Sequence, residues 1–465
     1  LTAETSPAPQ PAWWTRRRCF TVGIACLLLV LFFNQPPGWN GNSRLLTVYA
    51  LVEDGTLQAD HWRGLTGDYA EINGHQYSDK APLASFVVVP FYWLWRHWAH
   101  HPQAPLDQLA AIHIADTVAC AVPFAVFAML VLWRLSRRGL SLRAAVWMTL
   151  AVAFGTPLAV YGGQYLGNML AATLFLGAYV LAIEREEGFV LAGFLGGLAG
   201  TTEYPLILSN AVIVLYLLLG EDRLRRAGRY VLGAAPTAIA LLLYNRRITG
   251  HFFDFPYAHE NSRFSQMHVV FGMALPSPQA LWELVFGQYR GAAFYAPALL
   301  LLVPLLVLCF DGPARRRRLV LVLMGSQLLL ISSYFMWNGG FCVGPRHLAL
   351  MMALGLYEGV AALAREPRWR LTFALLSAWG IVLNLAAAAT DALPNDTWHN
   401  PAFEIFFPRI AQNVINDHNV LADWGLPNGR YTLGVWVACF LVLGVVLSRP
   451  WRARASAKSA SATLV

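Results

Sequence analysis

Apolar runs long enough to cross a hydrocarbon core of about 30 Å recur along this chain from residue 19 to residue 447, and they constrain the fold more than any other feature. They lie at 19–33, 109–133, 144–160, 169–183, 189–202, 206–219 and 230–244, then at 292–310, 319–336, 348–363, 371–389 and 431–447. Only 13% of the residues are charged, against roughly a quarter in soluble domains, and the mean hydropathy is +0.47, so a soluble protein is excluded. The fold class expected is all-α: a polytopic membrane bundle of about twelve transmembrane helices, within one either way, forming a single domain over 1–465.

The formal charge of +8 does not point to nucleic acid, because the basic residues sit between apolar runs rather than on a soluble segment with interleaved aromatics. Arg16, Arg17 and Arg18 precede the first run, and no small-residue cleavage site follows Phe33, so an uncleaved first helix is expected. The segment 83–98 is short, contains Pro90 and ends in Trp93, Trp95, Arg96, His97 and Trp98, a composition suited to the headgroup zone. If it lies along the interface without crossing, the basic stretches at 16–18, 134–143, 223–229, 315–318, 365–370 and 449–458 all fall on one side. By the positive-inside rule that side is the cytoplasm, with both termini there, in a bacterial inner membrane. The other face then owns three long extracytoplasmic loops, at about 34–108, 245–291 and 390–430, which is where chemistry is expected. The six cysteines show no CxxC and no metal-like spacing.

In the first of these loops, Leu45, Val48, Leu51 and Val52 recur at helical spacing between Asn42, a candidate cap, and Gly55, a candidate stop. This predicts an amphipathic helix lying on the membrane, carrying Arg44 and ending in Glu53 and Asp54. Asp68, Tyr77, Asp79 and Lys80 follow, bringing carboxylates, an aromatic and a cation to the foot of the interfacial helix. A carboxylate beside a low-dielectric surface can act as a general base, and a lysine there suits a lipid phosphate. A solvated loop with a local Asp79/Lys80 pair is the plainer alternative. Glu203, after the small-residue tract 196–200, sits near membrane depth, where an ionisable group is costly; it is either functional or a glutamate reaching for the interface. Arg290 precedes one run, while Arg346 and His347 stand at the mouth of another behind Gly339, Gly340 and Gly344; phosphate clamps and interfacial turns are both open readings. No Walker loop, dinucleotide fingerprint, HExxH or nucleophile elbow is present in a credible setting.

Taken together, the 43–55 helix, the Tyr77-Ser78-Asp79-Lys80-Ala81-Pro82 segment, Arg290-Gly291-Ala292-Ala293-Phe294-Tyr295-Ala296-Pro297 and Gly344-Pro345-Arg346-His347-Leu348 resemble the C-type (GT-C) superfamily of membrane glycosyltransferases. Bacterial relatives of the protein O-mannosyltransferases and of the lipid A aminoarabinose transferase are the nearest in kind. The resemblance implies a polyprenyl-phosphate sugar donor bound toward the outer leaflet, and a glycan, lipid or protein acceptor. It implies a carboxylate that deprotonates the acceptor hydroxyl. The acidic pair that such relatives carry after the first helix is here Gly41-Asn42, and a second acidic position falls near Asn168. The base is therefore sought among Asp68, Asp79, Glu53 and Asp54, with Asp68 and Asp79 preferred. Lys80, Arg290, Arg346, His347, Glu203, Arg44 and Tyr77 are the binding candidates, and Lys80, Arg290 and Arg346 are expected to converge on one phosphate. No cofactor is called for, though a divalent metal is compatible with the chemistry. A lipid-linked-substrate transporter or flippase and a non-catalytic assembly subunit are the competing functions.

Overall fold

The computed structural model describes residues 15–99 and 107–449; the chain ends, and with them the expected placement of both termini and the basic residues beyond 449, lie outside the described residues. Helix α1 (Arg16–Val30) starts where Thr15 accepts the backbone N–H of Arg18 at 3.1 Å, and α2 (Trp39–Glu53) lies in the first long loop. An antiparallel hairpin of β1 (Ala70–Ile72) and β2 (His75–Tyr77) is the one departure from helix among the named elements. It is followed by α3 (Leu83–Phe86) and α4 (Val89–Leu94), which runs on into a wide turn at Trp95–Ala99. Next come α5 (Gln108–Asp116), α6 (Val122–Ser136), α7 (Leu142–Phe154), α8 (Leu158–Gly162) and α9 (Gly167–Tyr179). The middle of the chain forms α10 (Phe189–Thr202), α11 (Leu206–Leu218) and α12 (Arg223–Thr249). After α13 (Pro278–Val285), α14 (Ala292–Tyr295) and α15 (Leu299–Leu308) come the longer α16 (Ala314–Ser332), α17 (Ala349–Ala364) and α18 (Arg370–Thr390). Two short helices, α19 (Phe407–Ala411) and α20 (Val420–Asp423), lead to α21 (Tyr431–Leu447).

The protein is a polytopic helical membrane bundle. Among the described residues, five continuous helical rods are long and apolar enough to cross a membrane: Gln108–Ser136, Gly167–Glu184, Arg223–Thr249, Arg346–Ala364 and Pro367–Thr390. Helices α7, α10, α11, α15 and α21 are apolar but shorter. The run 292–310, read as a single span, is two helices, because Pro297 has no N–H to continue the ladder and Ala296 leaves the helical region at φ −132°. The glycine tract before Glu203 proves to be a packing seam. A Cβ at Gly193 would lie 1.8 Å from the Tyr230 carbonyl oxygen, and one at Gly233 1.9 Å from that of Val190, so α10 and α12 touch backbone to backbone.

The helix α2 is enclosed by protein along much of its length. Residues 43–50 are all buried, the chain enters at Gly38, and Asn42 donates its amide to the Leu65 carbonyl at 3.0 Å instead of capping. Its polar side chains find protein partners, which is why an apparently amphipathic helix can be enclosed. The segment 83–98, by contrast, buries Ala84, Val88 and Tyr92 and leaves Phe86, Phe91, Trp93, Leu94 and Trp98 exposed; it is not among the span-length rods.

The three long loops meet. Asn261 donates its backbone N–H to Tyr69 O at 3.0 Å and its amide to Gly67 O at 2.7 Å, Asn400 donates to Gln288 at 2.9 Å, and Asn34 N–H reaches His418 O at 3.0 Å. The rods containing α9, α16 and α17 run from this loop layer to a buried ionic cluster at their other ends. There Glu358 accepts from Arg134 at 2.8 Å, from Tyr179 at 2.7 Å and from Arg316, while Glu184 accepts from Tyr357 at 2.6 Å and pairs with Arg134.

Candidate active site

Under the loop layer lies a cavity of about 900 Å³, lined by side chains from all three long loops and from α2, α9, α11, α16 and the start of the α17 rod. Its centre is Lys80. The ammonium stands against three carboxylates: it bonds Asp79, lies 3.2 Å from Asp68 and 3.8 Å from Glu260. The hairpin sets this geometry, since β2 hands the chain directly to Ser78, Asp79 and Lys80, while an isolated bridge pairs Ala70 with Glu260. The loop 245–291 thereby delivers Glu260 from about 180 residues away in sequence.

The three carboxyl groups differ. Asp79 is fully buried, does not line the cavity, and accepts from Ser43 Oγ at 2.6 Å. Burial pushes its pKa up, but the Lys80 charge and hydrogen bonds from Glu260, Lys80 and Ser43 hold it below the usual carboxylate range. Glu260 goes the other way: burial and the adjacent Asp79 charge push it up to about 9, so at neutral pH it keeps its proton and donates to Asp79. Burial works against the Lys80 charge, yet Asp68, Asp79 and Glu260 raise its pKa above the ordinary value. Asp68 lines the cavity, 3.2 Å from the Lys80 ammonium.

Two arginines serve the cavity in different ways. Arg44, 2% exposed, is spent internally, with Nη2 2.8 Å from Glu203 Oε1. Arg346 is 9% exposed, lines the cavity beside His347, and makes no ion pair with a described residue; its Nε is buried without a hydrogen-bond partner. A buried guanidinium without a counter-charge is costly, and an anion in the cavity would answer it. Arg290 is fully buried and lies behind the wall, outside the cavity lining. It donates to the carbonyls of Asn338 at 3.0 Å, Tyr289 at 3.1 Å and Gly340 at 2.8 Å, and so braces the loop that presents Gly339, Gly340 and Phe341 to the cavity. The three cations expected to converge are thus two in the cavity and one supporting its wall.

The remaining candidates are placed elsewhere. Glu53 accepts from Tyr92 Oη at 2.8 Å and pairs with Arg96 at 3.0 Å, tying α2 to the segment 83–98. Asp54 accepts from Trp62 Nε1 at 2.7 Å and contacts His61. Neither lines the cavity, because the helix end carrying them turns away from it. Tyr77 is buried in a small cluster with Ala70, Ile72, Leu241 and Tyr244, again outside the lining. Asn168 does line it, and so does Glu260, which sequence reasoning did not single out. The signal for Glu260 was only its presence in a long loop. Among the described residues no group of three or more His, Cys, Asp or Glu side chains has metal-holding geometry.

Bundle, loop layer and cavity together define a polytopic helical membrane protein. Among solved structures the chain is similar to ArnT from Cupriavidus metallidurans in the apo state, with a TM-score of 0.51 and 15% identity over 93% of this chain and 76% of that one. The same protein bound to undecaprenyl phosphate gives a TM-score of 0.49 at the same identity and coverage. At this identity the likeness is one of fold. No family profile and no curated protein matches the sequence.

Proposed function

We propose that this chain is an integral-membrane glycosyltransferase that moves a sugar from a polyprenyl-phosphate donor to a glycan, lipid or protein acceptor on the periplasmic face. The observation that carries the reading is Arg346, a buried cation without a counter-charge at the wall of a cavity whose flank is apolar. Ile207, Leu208, Leu330 and Ile331 from α11 and α16 form that flank, and Ile207 and Leu208 are 49% and 39% exposed, so an isoprenoid chain leaves sideways between these helices. The fold likeness to ArnT, reported above for the apo structure, agrees with the class.

In the transfer, an acceptor hydroxyl gives its proton to Asp68, its oxygen bonds to the anomeric carbon, and the bond from that carbon to the phosphate oxygen breaks with its electron pair. Asp68 is assigned the base because Asp79 does not line the cavity and Glu260 already holds a proton. The leaving phosphate passes from one negative charge toward two, so Arg346 gains attraction as the reaction proceeds, which is how a fixed charge lowers a barrier. Lys80, held by Asp79 and standing 3.2 Å from Asp68, orients Asp68. The transporter alternative drew on the missing acidic pair and on Glu203 near membrane depth, and the Arg44 pairing answers the second of these.

Twelve crossings with the loop 134–143 in the cytoplasm complete the proposal. In a background lacking Cys439, an impermeant thiol reagent added to spheroplasts is expected to label Glu71→Cys but not Arg143→Cys, and labelling of the latter overturns the topology. For the activity, purified protein is incubated with radiolabelled polyprenyl-phosphate sugars and a cell-envelope extract. Label is expected to move to an acceptor, with Asp68→Asn roughly a hundredfold slower or worse. Donor binding without transfer of any sugar sinks the enzyme reading and leaves a binding or assembly role.

A further inference from the structure

The second long loop divides into two parts. Residues 261–266 turn toward the first loop: Asn261 bonds the carbonyls of Gly67 and Tyr69, and the Arg263 guanidinium stands 4.8 Å over the Trp39 ring. Residues 272–277 run instead alongside the end of α16 and the residues that follow it. Phe335 donates its N–H to Gly272 O at 2.9 Å, Ala274 to Ser333 O at 2.7 Å and Ser277 to Ser332 O at 3.0 Å. Ser277 then caps α13, whose Ala280 and Leu284 are buried while Trp282 and Phe286, the other pair four residues apart, stand exposed.

What this second part presents to the outside is apolar. Leu275 is 89% and Val270 70% exposed, and Val269 is nearly as open. The inward side of the same strip is cavity wall, supplied by Phe271 and Met273, so a single layer of chain separates the cavity from the outside. The backbone takes an unfavourable shape to serve both faces. Val270 and Phe271 have φ of +47° and +55°, left-handed values that are costly for any side chain and most of all for a β-branched one. In water, a strained turn that also exposes two valines and a leucine opposes folding twice over; where those side chains leave water, the second cost is gone.

The place of the strip says what covers it. In the topology proposed above, α16 rises from the cytoplasmic arginines at 315–318, so its far end, where the strip is attached, lies at the outer headgroups. Leu329, one turn before that attachment, is exposed, as are Ile207 and Leu208 across the cavity mouth on α11, so the strip continues an apolar flank. Helix α12 ends on the same side. Its last turn carries Arg246 and Arg247, both exposed and neither in an ion pair among the described residues, with exposed Phe253 just beyond. Cations beside exposed aromatics suit lipid phosphates at the headgroup level. We infer that the strip 269–286 is a membrane contact: Val269, Val270, Leu275, Trp282 and Phe286 lie among the lipids of the outer leaflet, and this lip of the cavity is seated in lipid rather than in water. The leaflet named rests on that topology, which thiol labelling tests separately; the contact itself does not depend on which ligand the cavity takes.

Nitroxide labels on the full chain in lipid nanodiscs test this, in a background lacking Cys309 and Cys439, the two native cysteines that are not buried. Labels go on Val269→Cys, Leu275→Cys and Trp282→Cys, none of which lines the cavity, and on Gln266→Cys, an exposed position of the same loop, as the water reference. Oxygen concentrates in lipid and a nickel chelate stays in water, so the ratio of the two accessibilities reads depth. The ratio is expected to be severalfold higher at Val269, Leu275 and Trp282 than at Gln266. A ratio at all three equal to that at Gln266 puts the strip in water and overturns the inference; protection from both reagents puts protein over it, a second copy or another chain, and overturns it as well. Three separate positions keep the test valid if one variant fails to fold, and the affinity for undecaprenyl phosphate measured on the same nanodiscs reports on the donor reading independently.

Discussion

Replacing Glu260 by Gln isolates the proton that the lysine-centred cluster holds. Glu260 keeps its proton in the folded protein up to about pH 9, against an ordinary value of 4.5, because it is buried beside Asp79. The folded state therefore binds a proton that the unfolded chain has released, and the stability tied to that proton is complete below pH 4.5 and falls as pH rises toward 9. Each pH unit in that window costs about 1.4 kcal/mol, so the wild type at pH 7 gives up about 3 kcal/mol relative to acid. The other shifted groups of the cluster do not titrate there: Asp79 is held below the carboxylate range and Lys80 above its ordinary value. A glutamine matches the protonated carboxyl in shape and still donates to Asp79, but it does not titrate. Thermal unfolding in detergent, followed by intrinsic fluorescence between pH 5 and 9, is expected to show wild type losing a few degrees across the range. Glu260→Gln should stay flatter and exceed wild type by pH 8. Parallel curves for the two proteins would refute a shared, displaced proton at this site.

Two further substitutions test the scaffold around the cavity. Arg290→Ala removes the guanidinium donors from the carbonyls of Asn338 and Gly340, so a loss of about 2–4 kcal/mol is expected, with faster proteolysis at the 338–346 loop; a variant as stable and resistant as wild type contradicts the bracing role. Glu358→Gln leaves Arg134 and Arg316 to share Glu184 in the buried cluster, and about 3–5 kcal/mol of stability should go with it, read as a lower unfolding temperature while the affinity for undecaprenyl phosphate in the surviving folded fraction is unchanged. Loss of that affinity at full stability would place the cluster in the function instead.

The bundle was legible because apolar length and the period of basic loops are set by the bilayer, which acts on every span independently. Lys80 with Asp68 and Asp79 was also within reach, since neighbours in sequence are neighbours in space. The failures share one cause, tertiary closure. Helix α2 shows the same polar and apolar stripes whether its polar side meets water or, as here, Glu203 and Asp79. Arg290 reads like any cation at a helix mouth until the carbonyls of residues 338 and 340 are seen around it. Glu260 sits in a loop with no periodicity to mark it, and only the pairing of Ala70 with Glu260 brings it to Lys80. The split at Pro297 was visible in the sequence as a proline, but a run of leucines on its C-terminal side outweighed it in a reading by hydropathy.

The claim at the centre of this account is that the cavity holds a lipid phosphate at Arg346, and the affinity of the purified protein for undecaprenyl phosphate tests it most directly. Wild type is expected to bind, and Arg346→Gln, which keeps the size and polarity of the side chain but removes its charge, is expected to bind about ten- to a hundredfold more weakly, the equivalent of one charge-assisted contact. Equal affinities for the two proteins, or no binding by the wild type, would contradict it.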